Sequence, residues 1–117
     1  MWLDEKELSK EMCRKCAKND QEKYWSLITD SKWAYHYCKN VKDRASVRKH
    51  ITESQWAYYY CEDIKNRAEV RKNITDSSWS YNYCRYIKDN SELRKNIIDS
   101  KWAYLYCRYV KNRQETR

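Results

Sequence analysis

Ile28-Thr29-Asp30-Ser31-Lys32-Trp33-Ala34-Tyr35-His36-Tyr37-Cys38-Lys39-Asn40-Val41-Lys42 opens a block that the chain writes four times. Residues 28–50 return as 51–73, 74–96 and 97–117, a period of 23 residues, the step from Ser31 to Ser54. Every copy keeps a serine (Ser31, Ser54, Ser77, Ser100), a tryptophan (Trp33, Trp56, Trp79, Trp102) and a cysteine (Cys38, Cys61, Cys84, Cys107). Each also keeps a lysine (Lys42, Lys65, Lys88, Lys111) and two tyrosines two apart (Tyr35 and Tyr37, Tyr58 and Tyr60, Tyr81 and Tyr83, Tyr104 and Tyr106). Self-similarity at such a period is the mark of a repeat architecture, in which each unit buries its apolar face on its neighbours.

The chain contains neither glycine nor proline. Without a breaker or a left-handed turn residue, the sequence points to helices and makes tight strand turns hard to build. At 117 residues, net charge +8 and 36% charged content, it describes one small basic unit, residues 1–117, and excludes a large multidomain enzyme. No apolar run approaches the ~20 residues that span a bilayer, and Met1 to Lys6 lack the form of a secretory leader, so an intracellular, cytoplasmic protein is expected.

Asp4 followed by Glu7 has the form of a capping pair, with Leu3 placed to pack on Leu8, and a helix from about Glu5 to Lys18 follows. Aligning Cys16 with Cys38 sets Met12 on Ala34 and Tyr24 on Val47, so residues 1–27 are read as a degenerate repeat that caps the array. In the first clear copy, Thr29, Asp30 and Ser31 offer capping oxygens to a helix running to about Lys42. At 100° per residue, Trp33, Ala34, Tyr37, Cys38 and Val41 share one arc, the expected buried face. A two-turn second helix follows, carrying Val47 and Ile51. Asp43 stands three residues before Ser46, Asn66 before Glu69, Asp89 before Glu92 and Asn112 before Glu115, and three of the four fit a loose capping box. The expected fold is thus all-α, a solenoid of short helical hairpins.

Trp33-Ala34-Tyr35-His36-Tyr37-Cys38 and its copies resemble the "A-Y-x-Y-A" two-helix tandem repeats that recur in phage and mobile-element proteins, mostly of unknown function. The likeness covers residues 28–117 and differs in placing cysteine where that pattern more often has alanine. It implies an all-helical solenoid, no catalytic activity, and a place among accessory or anti-defence (anti-CRISPR-like) inhibitors.

Six cysteines in a short chain suggest a disulfide framework, but stacked helices lie roughly 8–10 Å apart and a disulfide needs Cα atoms within about 7 Å. The repeat cysteines are therefore read as unbridged, small core residues. Cys13 and Cys16, spaced C-x-x-C beside Arg14, Lys15 and Lys18, invite a zinc or redox reading. No second such pair exists and His36 and His50 lack ligand spacing, so neither a metal nor any other cofactor is expected. No Gly-rich phosphate loop or nucleophile elbow is present, which argues against an enzyme.

Function then rests on two surfaces. Positions that vary between copies away from the apolar arc give Arg85, Tyr86, Leu105, Arg108 and Tyr109, a patch of aromatic and aliphatic groups rimmed by guanidinium, the composition of binding hot spots. The competing reading has these tyrosines merely cover Trp79 and Trp102. The second surface is the arginine ladder Arg44, Arg48, Arg67, Arg71 and Arg94, which suits a phosphate backbone, with a plainer reading in which Arg48 and its copies pair with Asp30, Glu53, Asp76 and Asp99. The first surface makes the chain a protein-binding solenoid whose partner is another protein, one within a nucleic-acid-associated complex included. The second makes it a basic helical-repeat nucleic-acid binder.

Overall fold

Residues 3–111 are described by the computed structural model, and they hold nine α-helices, one π-helical turn and no strand. Helix α1 (Glu5–Lys18) starts on the Asp4 carboxylate, which accepts the Glu7 amide at 2.8 Å. Its Glu5 and Glu7 sit in the first turn and Lys15 and Lys18 in the last, so charge complements the helix dipole at both ends. Leu3 is exposed and Leu8 half-buried.

After α2 (Glu22–Trp25), long and one-turn helices alternate: α3 (Ser31–Asn40), α4 (Ala45–Arg48), α5 (Ser54–Asp63), α6 (Ala68–Arg71), α7 (Ser77–Tyr86), α8 (Ser91–Arg94) and α9 (Ser100–Tyr106). The π-helical turn Cys107–Lys111 continues α9. The elements fall into two compact units, Met1–Asn73 and Ile74–Arg117. In the first, α3 packs on α1, α4 and α5; in the second, α7 packs on α8 and α9.

The chain reverses without glycine because α3 and α5 each end in a widened, π-type turn. The amides of Val41 and Lys42 both donate to the Tyr37 carbonyl, and those of Ile64 and Lys65 to the Tyr60 carbonyl. The Arg44 amide then donates two residues back to Lys42, and Arg67 does the same to Lys65. No described residue takes a positive φ. The loose capping boxes are not what starts the short helices. Their N-caps are Arg44, Arg67 and Asn90, one residue later than expected, and of these only Asn90 caps with its side chain, accepting from Glu92 and Leu93. Asn112 and Glu115 lie outside the described residues.

The repeated serine has a different part from capping. Ser31 Oγ accepts the amides of Thr52 (3.0 Å) and Glu53 (3.2 Å) and donates to the His50 carbonyl at 3.0 Å, tying α3 to the turn before α5. Ser77 makes the same three bonds to Ile98, Asp99 and Asn96. Ser9 on α1 accepts from Thr29 and Asp30, both at 3.1 Å, so the N-terminal segment docks on α3 in the manner of the later copies. Capping falls to Asp30 and Asp76, which accept the amides of Trp33 and Trp79.

The expected buried arc is only half right. Ala34, Tyr37 and Cys38 are buried, but Trp33 and Val41 are half-buried, whereas Tyr35 keeps only 4% of its surface exposed. Tyr35 and Tyr37 stand about 200° apart on the helix. Both are buried because α3 has a long helix on each side, α1 and α5, and so presents two inner faces.

Candidate nucleic-acid and protein interfaces

The arginine ladder is engaged from within. The Tyr37 hydroxyl donates to Asp20 at 2.8 Å, and Arg44 donates through Nε to that hydroxyl (2.6 Å) and through Nη2 to the same carboxylate (2.9 Å). The Arg44 guanidinium also lies 5.0 Å over the Trp25 ring. One repeat on, Tyr60 donates to Asp43 (2.7 Å), and Arg67 reaches both the Tyr60 hydroxyl (2.8 Å) and Asp43 (3.3 Å). Arg48, only 8% exposed, donates to Asp43 at 2.8 Å and stands 3.4 Å from Glu69. In the second unit Tyr106 donates to Asp89, which lies 3.7 Å from Arg94. Arg71 donates to Asn66 at 3.0 Å.

The pairing partners differ from those the sequence suggested. Asp30, Asp76 and Asp99 cap the long helices, and it is Asp43, Glu69 and Asp89 that meet Arg48 and Arg94. Burial alone would raise the Asp43 carboxyl, but the hydrogen bonds from Tyr60 and Arg48 and the charges of Arg48 and Arg67 hold it below its ordinary value. Asp20 is lowered by Tyr37 and Arg44 against the same burial effect. Burial and the Asp43 hydrogen bond push the Tyr60 phenol up to about 12.

A different arrangement holds at α7 and α9. The Arg85 guanidinium lies 4.4 Å over the Tyr109 ring and 5.0 Å over Tyr86, and Arg108 lies 5.3 Å over Tyr109. Each arginine also steadies a tyrosine one turn back on its own helix, Arg85 donating to the Tyr81 hydroxyl at 3.0 Å and Arg108 to Tyr104 at 3.2 Å. Tyr86 keeps 59% of its surface exposed, more than a ring laid over the core retains. Leu105 is half-buried between them in sequence. Four of the five residues singled out from the sequence, Arg85, Tyr86, Arg108 and Tyr109, thus form one stacked cluster.

No protein-family model, curated protein or solved structure matches the chain. Functional assignment therefore rests on these side chains.

The sequence reading passed over Tyr104, which belongs to the invariant tyrosine row yet is 60% exposed. A signal was present: only the third and fourth copies place arginine four residues after this tyrosine, at Arg85 and Arg108, where the others have Lys39 and Glu62.

All six cysteines are free thiols. Burial pushes Cys38 up to about 12 and Cys61 and Cys84 up to about 11. Cys107 departs from the expected core role and is exposed. Cys13 and Cys16 are both buried in α1, and burial raises both thiols, Cys16 to about 11, which disfavours the thiolate that metal binding or exchange requires. Among the described residues no group of three or more His, Cys, Asp and Glu side chains is gathered to hold a metal ion. No helix among them is long and apolar enough to cross a membrane.

Proposed function

We propose that this chain is a non-enzymatic solenoid of short helical hairpins, capped by residues 1–27, that docks a partner protein on Arg85, Tyr86, Leu105, Arg108 and Tyr109. The observation that carries this reading is the Arg85–Tyr109–Arg108 stack with exposed Tyr86 beside it. Guanidinium groups held over phenol rings lose little freedom on binding, and tyrosine and arginine supply contact area and charge-assisted hydrogen bonds together, as hot spots do. A role as an accessory or anti-defence inhibitor in a phage or mobile element follows from the resemblance of the Trp-Ala-Tyr-x-Tyr-Cys copies.

The nucleic-acid alternative is weakened by what the ladder arginines already do. Arg44, Arg48 and Arg67 are committed to Asp20, Asp43 and Glu69, so phosphate binding would have to compete with preformed pairs. Capture of a partner from nuclease-treated lysate, compared with the combined Arg85→Ala, Tyr86→Ala, Arg108→Ala and Tyr109→Ala variant, tests the assignment. Loss of one specific protein from the variant, with its helical circular dichroism unchanged, is the expected result. Capture that survives the substitutions, or that nuclease treatment abolishes, would refute it.

A further inference from the structure

Two helix pairs show what a tyrosine and the residue four positions later receive from the next long helix. Tyr35 and Lys39 on α3 receive Trp56 and Asp63 from α5. The Tyr35 and Trp56 ring centroids lie 5.6 Å apart, the Tyr35 hydroxyl donates to Asp63 at 2.5 Å, and Lys39 Nζ stands 3.9 Å from the same carboxylate. Tyr81 and Arg85 on α7 receive Trp102 and Tyr109, with ring centroids 5.4 Å apart and the guanidinium 4.4 Å over Tyr109. Trp56 and Asp63 stand seven residues apart on α5, close to two helical turns, which puts them on one face; Trp102 and Tyr109 are also seven apart, with Tyr109 in the π-helical turn that continues α9.

Tyr104 and Arg108 are a further such pair, joined by the same arginine-to-hydroxyl bond as Tyr81 and Arg85. Their surroundings are open, however. Tyr104 is 60% exposed where Tyr35 and Tyr81 keep 4% and 2%, and Ser100 and Cys107 are exposed where Ser31, Cys38 and Cys84 are buried. Among the described residues Arg108 has no carboxylate partner.

We infer that Tyr104 and Arg108 receive a helix of the partner protein that carries a tryptophan and, seven residues later, a carboxylate. The tryptophan stacks on Tyr104 and the carboxylate pairs with Arg108, as Trp56 and Asp63 do on Tyr35 and Lys39. Charge selects the carboxylate over a second tyrosine, because the Tyr109 ring already lies against both Arg85 and Arg108. A second copy of the chain does not supply this helix, since Trp56 with Asp63 and Trp102 with Tyr109 are already seated within it. The inference rests on the docking reading above and specifies its partner, and Arg108 joins the two surfaces.

A stapled helical peptide carrying the sequence of residues 53–66 is the probe, titrated into the full chain and followed by two-dimensional amide NMR and by the reaction rate of Cys107 with a thiol reagent. Saturable binding is expected, with shifts centred on Tyr104, Cys107 and Arg108 and a slowed Cys107 reaction. Trp56→Ala in the peptide should weaken binding about tenfold or more. Asp63→Lys in the peptide should weaken it several-fold and be recovered by Arg108→Glu in the protein. Absence of saturation at millimolar peptide, shifts away from α9, or failure of the charge exchange would overturn the inference. Such failure alongside a captured partner that still needs Tyr86 would overturn only the stated helix chemistry, whereas loss of the Tyr86 dependence would overturn the docking reading itself.

Discussion

The Tyr60 hydroxyl donates to the Asp43 carboxylate, 17 residues earlier, at 2.7 Å, and Arg48 and Arg67 close on the same two oxygens. Tyr37 with Asp20 and Tyr106 with Asp89 repeat the bond at the same separation. Within each unit, successive long helices are therefore joined by a buried tyrosine whose polar tip is satisfied by the preceding copy, while its ring fills the core.

Removing Asp43 leaves Arg48, which is 8% exposed, with Glu69 at 3.4 Å as its remaining carboxylate and takes away the acceptor of the Tyr60 hydroxyl. Breaking a buried pair from one side costs about 3–5 kcal/mol, and because the Asp43 side chain is 22% exposed, Asp43→Ala should cost about 2–3 kcal/mol in urea unfolding. Tyr60→Phe should cost about 1 kcal/mol. An Asp43→Ala loss below about 0.5 kcal/mol would show that water replaces the carboxylate.

Stability should fall at both ends of the pH range. Asp20 and Asp43 are lowered from their ordinary 3.8, so their contribution is full above that value and is lost as pH falls through the depressed folded values. Tyr60 is raised from 10.0 to about 12 and Cys38 from 9.0 to about 12, so their contribution is full below the unfolded values and is lost as pH rises from about 9 toward 12. Chemical denaturation across pH should show Asp43→Asn flattening the acid limb and Cys38→Ala the onset of the alkaline one.

Ser31 and Ser100 occupy the same place in the repeat but not the same surroundings. Ser31→Ala leaves the Thr52 and Glu53 amides without their acceptor and should cost about 1–3 kcal/mol. Ser100 is exposed, and Ser100→Ala should stay within about 0.5 kcal/mol. Equal effects would mean that the serine acts through helix propensity alone.

Thiol labelling of the native protein should modify Cys107 quickly and Cys13, Cys16, Cys38, Cys61 and Cys84 only on unfolding, since those five are buried. Rapid labelling of Cys38 or Cys84, or protection of Cys107, would contradict the packing described.

Much of the helical layout was legible because it is local. The Asp4 cap and the absence of Gly and Pro set α1 at Glu5–Lys18, the range read from the sequence. The serine's role was not legible, since a serine ahead of an apolar run reads as a cap whether its hydroxyl turns to its own helix or, as in Ser31, to the next, whereas Asp30 was read among the capping residues and does cap. Tyr35 was missed because a single apolar arc assumes one inner face, and α3 has two. Of the candidate surfaces, the Arg85, Tyr86, Arg108 and Tyr109 cluster was legible from variation between copies. The commitment of Arg44 and Arg67 to tyrosine hydroxyls was not, because it joins residues seven apart on successive helices around a turn.

The most direct test of the docking assignment is the salt dependence of partner affinity, measured for the native chain and for Tyr86→Ala and Tyr109→Ala. Binding through about four or more phosphates would weaken roughly a hundredfold or more between 50 and 200 mM salt, whereas an interface centred on aromatic rings responds much less. A shallow salt response and a loss of about 1–3 kcal/mol for each tyrosine substitution, with the fold intact, are the expected results. Tight binding to a defined RNA or DNA that collapses with salt, is diminished by Arg71→Ala and Arg94→Ala, and ignores both tyrosine changes would contradict the docking assignment.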